Sequence, residues 1–338
     1  MKAPVTLWLS ELDVLELMDM GNAISALKQG LLLEAHGQAL NMTKTHISWG
    51  QGSTLHAIGA VFPNTGFAGT KTWAHTSEGA KPLLVLFDSN TGSLRAVIEA
   101  FALGQLRTGA ISGIATERLA SEEADEFAII GTGKQAMMQV CAVLAVRHIR
   151  RIRVFGRNQE RRAQFTARVQ KEFGVEAVSE KTIKAAVKDA AIITLVTRAK
   201  EPILDASMIA PGTHINAVGA IVPGGFELAS NVLERADVVA VDCISQARKL
   251  SSELIEFCRE EEVRWAAVRS LADIMESGNL RSPNSDITIF KSLGMGISDL
   301  SLAIEIYEKA VKVGRGRDLG SLMNLGSQVA RSEWKVMS

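Results

Sequence analysis

Glu126-Phe-Ala-Ile-Ile130 runs directly into Gly131-Thr-Gly133-Lys-Gln-Ala136, and a helical pattern continues to about Val146. Strand, GxGxxA turn and helix in that order are the signature of a dinucleotide site. Gly131 permits the tight turn, Gly133 lets the backbone approach a pyrophosphate, and Ala136 keeps the helix close to the sheet. The helix start then offers free amides and a partial positive charge to phosphate. Thr132 and Gln135 belong to the same loop, and Thr197, Val218 and Gly219, at the ends of later strands, are assigned to the same cofactor. At the end of the next strand, an NAD-selective site usually carries an acid for the ribose hydroxyls. Here Ile152-Arg-Val-Phe155 is followed by Gly156-Arg157-Asn158. Arg157 with Asn158, helped by Arg161 or Arg162, suits a 2′-phosphate through a planar, charge-assisted fork. NADP(H) is therefore favoured and NAD(H) is the alternative; the competing use of these arginines is a solvated helix start.

These residues need a scaffold, and the hydrophobic pattern supplies one. Short apolar runs at Phe127–Ile130, Ile152–Phe155, Ala177–Ser179, Ile192–Thr197, His214–Val218 and Val238–Val241 alternate with helical patterns, which predicts a doubly wound parallel sheet of the Rossmann kind. Upstream the texture differs. Ser10 and Asp13 fit a capping box for a first helix, and a second helix is predicted from about Asn22 to His36. Thr45–Trp49, Thr54–Phe62, Phe67–Trp73, Leu83–Asp88 and Ser93–Ile98 read as an antiparallel sheet, with a tight turn at Asn90-Thr91-Gly92. A helix from about Ala100 to Leu119 follows, carrying Arg107. The stretch from Thr288 to Ser338 reads as helical, around Leu300–Val311 and Leu319–Val329. The fold class is thus α/β: a Rossmann unit over 121–299 and an α+β unit built from 1–120 together with 300–338.

Composition narrows the function classes. In 338 residues, 37 basic and 37 acidic side chains balance, so no global field draws the chain to nucleic acid or anionic membrane. Hydrophobic residues at 47% and charged residues at 22% are those of a folded globule. Cys141, Cys243 and Cys258 are too scattered for a disulfide framework or a zinc site, and no His/Cys cluster has metal spacing. Glu11 and Asp13 interrupt any signal-peptide core, and the uncharged run Ala206–Phe226 contains prolines and glycines. A soluble, cytoplasmic chain without metal, nucleic acid or membrane partner is expected.

Six segments together resemble the ornithine cyclodeaminase/mu-crystallin family. They are Gly69-Thr-Lys71-Thr-Trp73, Leu86-Phe87-Asp88 to Thr91-Gly92, and Leu106-Arg107-Thr108-Gly109-Ala110 to Ser112-Gly113, then Gly131 to Ala136, Ile215-Asn216-Ala217-Val218-Gly219-Ala220, and Thr288 to Gly294 with Asp299-Leu300. The resemblance implies a substrate-binding and dimerising sheet domain, a Rossmann domain, and a homodimer. It implies that Lys71 is the active-site lysine and that Arg107 holds the substrate carboxylate. Arginine suits that clamp because its fork binds carboxylate bidentately, and a desolvated lysine can move a proton near neutral pH. Lys44 stands where the family commonly has a second carboxylate-binding arginine. His75 and Asp299 are further substrate-site candidates, although Asp299 equally suits a helix cap.

One departure bears on the reaction. Cyclodeaminases carry an aspartate after the Gly219-Ala220 position and then proline-glycine-lysine; here the chain reads Ile221-Val222-Pro223-Gly224-Gly225. Isoleucine transfers no proton, so ornithine cyclodeaminase activity is disfavoured. A nicotinamide site, a carboxylate clamp and a proton donor remain. They suit NAD(P)H-dependent reduction of a small imino acid: a cyclic ketimine such as pyrroline-2-carboxylate or piperideine-2-carboxylate, or an acyclic one such as iminosuccinate. The alternatives are an alanine-type amino-acid dehydrogenase and a non-catalytic, crystallin-like NADPH-binding protein.

Overall fold

The computed structural model describes residues 5–50, 52–259, 261–278 and 281–320. Two large sheets organise it. The first has nine strands in the order Arg317–Asp318, Leu7–Leu9, Leu94–Glu99, Leu83–Asp88, Phe67–Thr76, Ser53–Phe62 and Leu40–Asn41; Thr45–Trp49 also pairs with Ser53–Phe62, and Gly79–Ala80 with Phe67–Thr76. All of its pairs are antiparallel except Leu7–Leu9 with Leu94–Glu99. Period-two patterning makes this sheet: in Leu83–Asp88, Leu84, Leu86 and Asp88 are buried and alternate with half-buried neighbours. The Asn90-Thr91-Gly92 turn forms as expected, with Gly92 at φ +70° and the Asp88 carboxylate accepting the amides of Asn90 and Thr91. Helices Met20–Ala35, Phe101–Leu119 and Gly296–Val313 pack together, and Gly296–Val313 also lies against the strands.

The second sheet is wholly parallel. Its eight strands run Glu176–Ser179, Arg151–Phe155, Glu126–Ile130, Ile192–Leu195, Thr213–Ala217, Ile287–Lys291, Ala236–Val241 and Arg269–Ser270. Chain order reverses between Glu126–Ile130 and Ile192–Leu195, the switch point at which doubly wound sheets bind ligands. The central strands are buried on both faces, with every residue of Glu126–Ile130, Thr213–Ala217 and Ile287–Lys291 inside.

The stretch from Thr288, expected to be helical, begins instead inside the strand Ile287–Lys291 of the parallel sheet, between Thr213–Ala217 and Ala236–Val241. A short, continuous apolar run carries no periodicity that separates a doubly buried strand from a helix. The helix that follows is Gly296–Val313; the one expected over 319–329 lies, beyond residue 320, outside the described residues. Among the described residues no helix is long and apolar enough to cross a membrane.

Candidate active site

Three separate stretches of chain meet over the first sheet. Gly296 opens the helix Gly296–Val313, and a Cβ there would lie 1.9 Å from the Gly59 carbonyl oxygen, so only glycine lets the helix end rest directly on the strand Ser53–Phe62. This seating brings the first helical turn, with Asp299, over Lys71, which pairs with Ile58 on the adjacent strand. A carboxylate is also well placed electrostatically in a first helical turn.

The Lys71 ammonium donates to Asp299 Oδ1 at 2.5 Å. Arg107 reaches in from the helix Phe101–Leu119, its Nε 3.3 Å from the same oxygen. Lys71 and Asp299 are buried, and Asp299 Oδ2 has no hydrogen-bond partner among the described residues. Burial dominates the Lys71 titration and, with the Arg107 and Lys44 charges, pulls it down to about 8 against the opposing pull of Asp299. Lys44, just before the strand Thr45–Trp49, is also pushed below its usual range, chiefly by burial and then by Arg107. The structure thus brings Lys44, Lys71, Arg107 and Asp299 together. His75 differs: it is exposed, four residues along the Lys71 strand, and its charge acts on His56.

Behind Arg107 stands the turn Ser292-Leu293-Gly294. Gly294 has φ +88°, and a Cβ there would come within 3.2 Å of Arg107 Nη1, so the guanidinium lies flat against bare backbone. Asp242 holds that turn, accepting Ser292 Oγ at 2.9 Å, Leu293 N at 2.9 Å and Gly294 N at 2.7 Å. Burial pushes its carboxyl above the ordinary range. Asp242 was not singled out in the sequence. Its only signal there is an acid directly after an apolar strand.

The dinucleotide loop takes the expected shape. Gly131 has φ +118°, and a Cβ would lie 2.6 Å from the Val196 carbonyl oxygen. Gly133 is exposed, with open space where a side chain would stand, and the helix Ala136–Leu144 begins with no side-chain cap. That free helix start and bare backbone fit a pyrophosphate. Thr132 abuts Gly156 across the two loops, as a Cβ at Gly156 would meet Thr132 Oγ1 at 2.9 Å. Gln135 spends its amide on the Gln105 carbonyl, 2.9 Å away, tying the loop to the Arg107 helix. Arg157 is exposed just past the strand Arg151–Phe155, whereas the Asn158 side chain caps the next helix through Arg161 N. Arg162 is a brace: it is buried and donates to the Gly156 carbonyl at 2.7 Å and to Ser179 Oγ at 2.9 Å.

The loops after Ile192–Leu195 and Thr213–Ala217 are joined by a residue that sequence reasoning missed. Glu227, fully buried, accepts Thr197 N at 2.7 Å and Thr197 Oγ1 at 2.8 Å through Oε1. Its Oε2 accepts Gly219 N at 2.8 Å and Ala220 N at 3.1 Å. Val218 is buried and its amide returns to the Leu195 carbonyl. The Glu227 amide is itself held by Glu253, whose other oxygen lies 2.6 Å from Lys291 Nζ. Replacing Glu227 by glutamine turns an acceptor into a donor facing backbone N–H groups, so a loss of about 1–3 kcal/mol is expected. Denaturant unfolding checks it; an unchanged midpoint would show that the bridge does not hold the loops.

Residues 5–314 match the model of the ornithine cyclodeaminase/mu-crystallin family. The chain belongs to this family. A Delta(1)-pyrroline-2-carboxylate reductase of Bacillus cereus is 35% identical over 236 residues, covering 69% of this chain and 72% of the relative. The solved Delta(1)-pyrroline-2-carboxylate reductase of Thermococcus litoralis, in complex with NADH and L-proline, is similar with a TM-score of 0.87 and 28% identity, over 93% of this chain and 100% of that one. An archaeal alanine dehydrogenase dimer with bound NAD gives 0.86 and 27%, over 93% and 99%. Family membership carries the architecture seen here, a Rossmann-type parallel sheet beside a second domain. Ile221 and Val222 lie exposed in the loop where cyclodeaminases carry their aspartate.

Proposed function

We propose that this protein is an NAD(P)H-dependent oxidoreductase that reduces the C=N bond of a small 2-imino acid to give the amino acid, with a cyclic ketimine such as pyrroline-2-carboxylate as leading substrate. The observation that carries this reading is one carboxylate oxygen, Asp299 Oδ1, shared by the Lys71 ammonium at 2.5 Å and Arg107 at 3.3 Å in a buried site. Imine reduction needs a hydride, a fixed carboxylate and a proton for nitrogen. A bound nicotinamide supplies the hydride.

The chain's own residues supply the rest. Arg107, backed by Gly294 and helped by Lys44, binds the substrate carboxylate and so fixes the plane of the C=N bond. Lys71, protonated below about pH 8, gives its proton to the imine nitrogen. Asp299 holds that ammonium in place, and its unpartnered Oδ2 accepts the N–H formed. When the cofactor binds, the Gly131–Ala136 loop would hold its pyrophosphate, and Thr197, Val218 and Gly219 would hold the nicotinamide end. In this reading a Rossmann unit over 121–299 and a substrate unit of 1–120 with 300–338 meet at this site.

NADP(H) is preferred in this reading because Arg157 stands at the ribose position and no acid does. Arg157→Ala is expected to weaken NADPH binding by about ten- to a hundredfold while NADH changes far less. Equal effects on both cofactors would remove the 2′-phosphate assignment. A homodimer is supported by the sheet: Ile47, Leu55 and Ala74, in register across three strands, lie exposed on the face opposite Lys71, with Ile47 66% exposed. The setting fits a cytoplasmic enzyme.

Oxidation of NADPH by pyrroline-2-carboxylate without ammonia tests the reaction class. Turnover under those conditions supports the reading. Turnover only with pyruvate plus ammonia would make the protein an alanine-type dehydrogenase, and saturable NADPH binding without turnover on any imine would make it a binding protein.

A further inference from the structure

Three aromatic rings stand in a row beside Lys71. His46, His56 and Trp73 are paired across three neighbouring strands, and alternation along Phe67–Thr76 puts Trp73 on the same face as Lys71. The His46 and His56 rings stack at 5.5 Å and 25°, and the His56 and Trp73 rings at 4.7 Å and 12°. Trp73 ends the row, and the Lys71 ammonium lies 5.4 Å from its ring centre.

This row is not core filling. His46 is exposed, and His56 and Trp73 are only half-buried. Burial, helped by the Lys44, His46 and His75 charges, holds His56 down at about 4, so its ring is a neutral π surface at physiological pH. Apolar, flat and half-open surfaces next to a proton donor are suited to receiving part of a ligand rather than to holding the sheet together.

We propose that Trp73, backed by His56 and His46, is the specificity-determining wall of the site and receives the flat ring of a cyclic 2-imino acid. The inference deepens the imine-reductase reading and rests on it. An imine nitrogen within hydrogen-bond reach of Lys71 Nζ, on the side of the ammonium that faces Trp73, brings the ring bonded to it within contact distance of an indole centred 5.4 Å from that ammonium. Conjugation of C=N with the carboxylate flattens the near side of the substrate ring, which matches an offset-stacked arrangement on indole. Once Lys71 has given up its proton the substrate ring is an iminium cation, and the π face of Trp73 attracts it. An acyclic imine with a methyl side chain has nothing to lay on this wall. Trp73 acts here by contact with substrate, whereas His56 and His46 are positioning residues that keep the indole upright.

The test is calorimetric binding to the NADP+-saturated protein of two turnover-independent probes. Pyrrole-2-carboxylate is a planar mimic of the ring, and pyruvate shares the head group without a ring. The wild type is expected to favour pyrrole-2-carboxylate, and Trp73→Ala to cut the affinity ratio of the two ligands by roughly tenfold. Trp73→Phe, which keeps a ring, should retain most of the ratio. Unchanged NADP+ affinity in each variant reports an intact fold. An unaltered ratio in Trp73→Ala, equal loss in Trp73→Phe, or a wild type without preference would each overturn the wall. Because neither probe is turned over with NADP+, failure of the reductase reading shows separately, as a missing reaction with true imines.

Discussion

Lys71→Ala is expected to lower kcat for reduction of a cyclic imine by about 10²- to 10⁴-fold, the range a positioned general acid contributes, while NADPH binds as to the wild type. Lys71 lies on the antiparallel sheet, pinned to Asp299 at 2.5 Å, and the dinucleotide loop is built on the parallel sheet from Gly131 to Ala136. Among the described residues the Lys71 ammonium bonds to Asp299 and not to the loop. Stopped-flow hydride transfer with titration of NADPH fluorescence separates the two quantities. Loss of cofactor affinity in this variant would show that Lys71 holds the cofactor and would remove it as proton donor.

Substitutions at the two charged neighbours of Lys71, its partner Asp299 and the like-charged Arg107, are expected to move the pH profile in opposite directions. Reduction needs the ammonium form, so kcat/KM should be level below and fall as pH rises through about 8. Asp299 raises the lysine pKa by both its charge and its hydrogen bond, and Asp299→Asn removes the charge, so the break moves to lower pH. Arg107 lowers it, so in Arg107→Gln the break moves to higher pH, accompanied by a large rise in KM as the carboxylate clamp is lost. At pH 8 the Asp299→Asn enzyme should therefore be slower by about tenfold or more, and part of that loss should be recovered by acidifying. The complete kcat/KM profiles of the three proteins provide the measurement. Breaks that shift in the same direction, or do not shift, would mean that another group donates the proton.

Much of the cofactor site was legible because its determinants are local. Glycines at fixed spacing after a strand specify a turn whatever else the chain does, and Gly131, Gly133 and the uncapped helix start follow. The capping box is local too, with Ser10 and Asp13 each bonded to the other's backbone amide. What the sequence could not display was proximity. Lys71 and Asp299 are 228 residues apart, and they meet because Gly296 rests on Gly59, a contact with no local pattern. The resemblance to a known family named the participants without showing that one oxygen serves both cations. Glu227 and Asp242 carry no local signal for a related reason: Glu227 is a single acid inside the short strand Phe226–Leu228 and Asp242 a single acid directly after Ala236–Val241, and the amides and hydroxyls they accept from belong to remote loops. Position alone suggests Arg162 as a phosphate ligand, whereas burial makes it a brace for the loop.

The central claim is that hydride reaches the C=N carbon of an imino acid held between Arg107 and Lys71. The measurement that tests it most directly is mass spectrometry of the product formed from pyrroline-2-carboxylate and NADPH carrying deuterium at both C4 positions of the nicotinamide, with ammonia excluded. The account predicts proline carrying one deuterium at C2, and loss of that product in Lys71→Ala. Proline without label, or no proline from a protein that still binds NADPH, would contradict it.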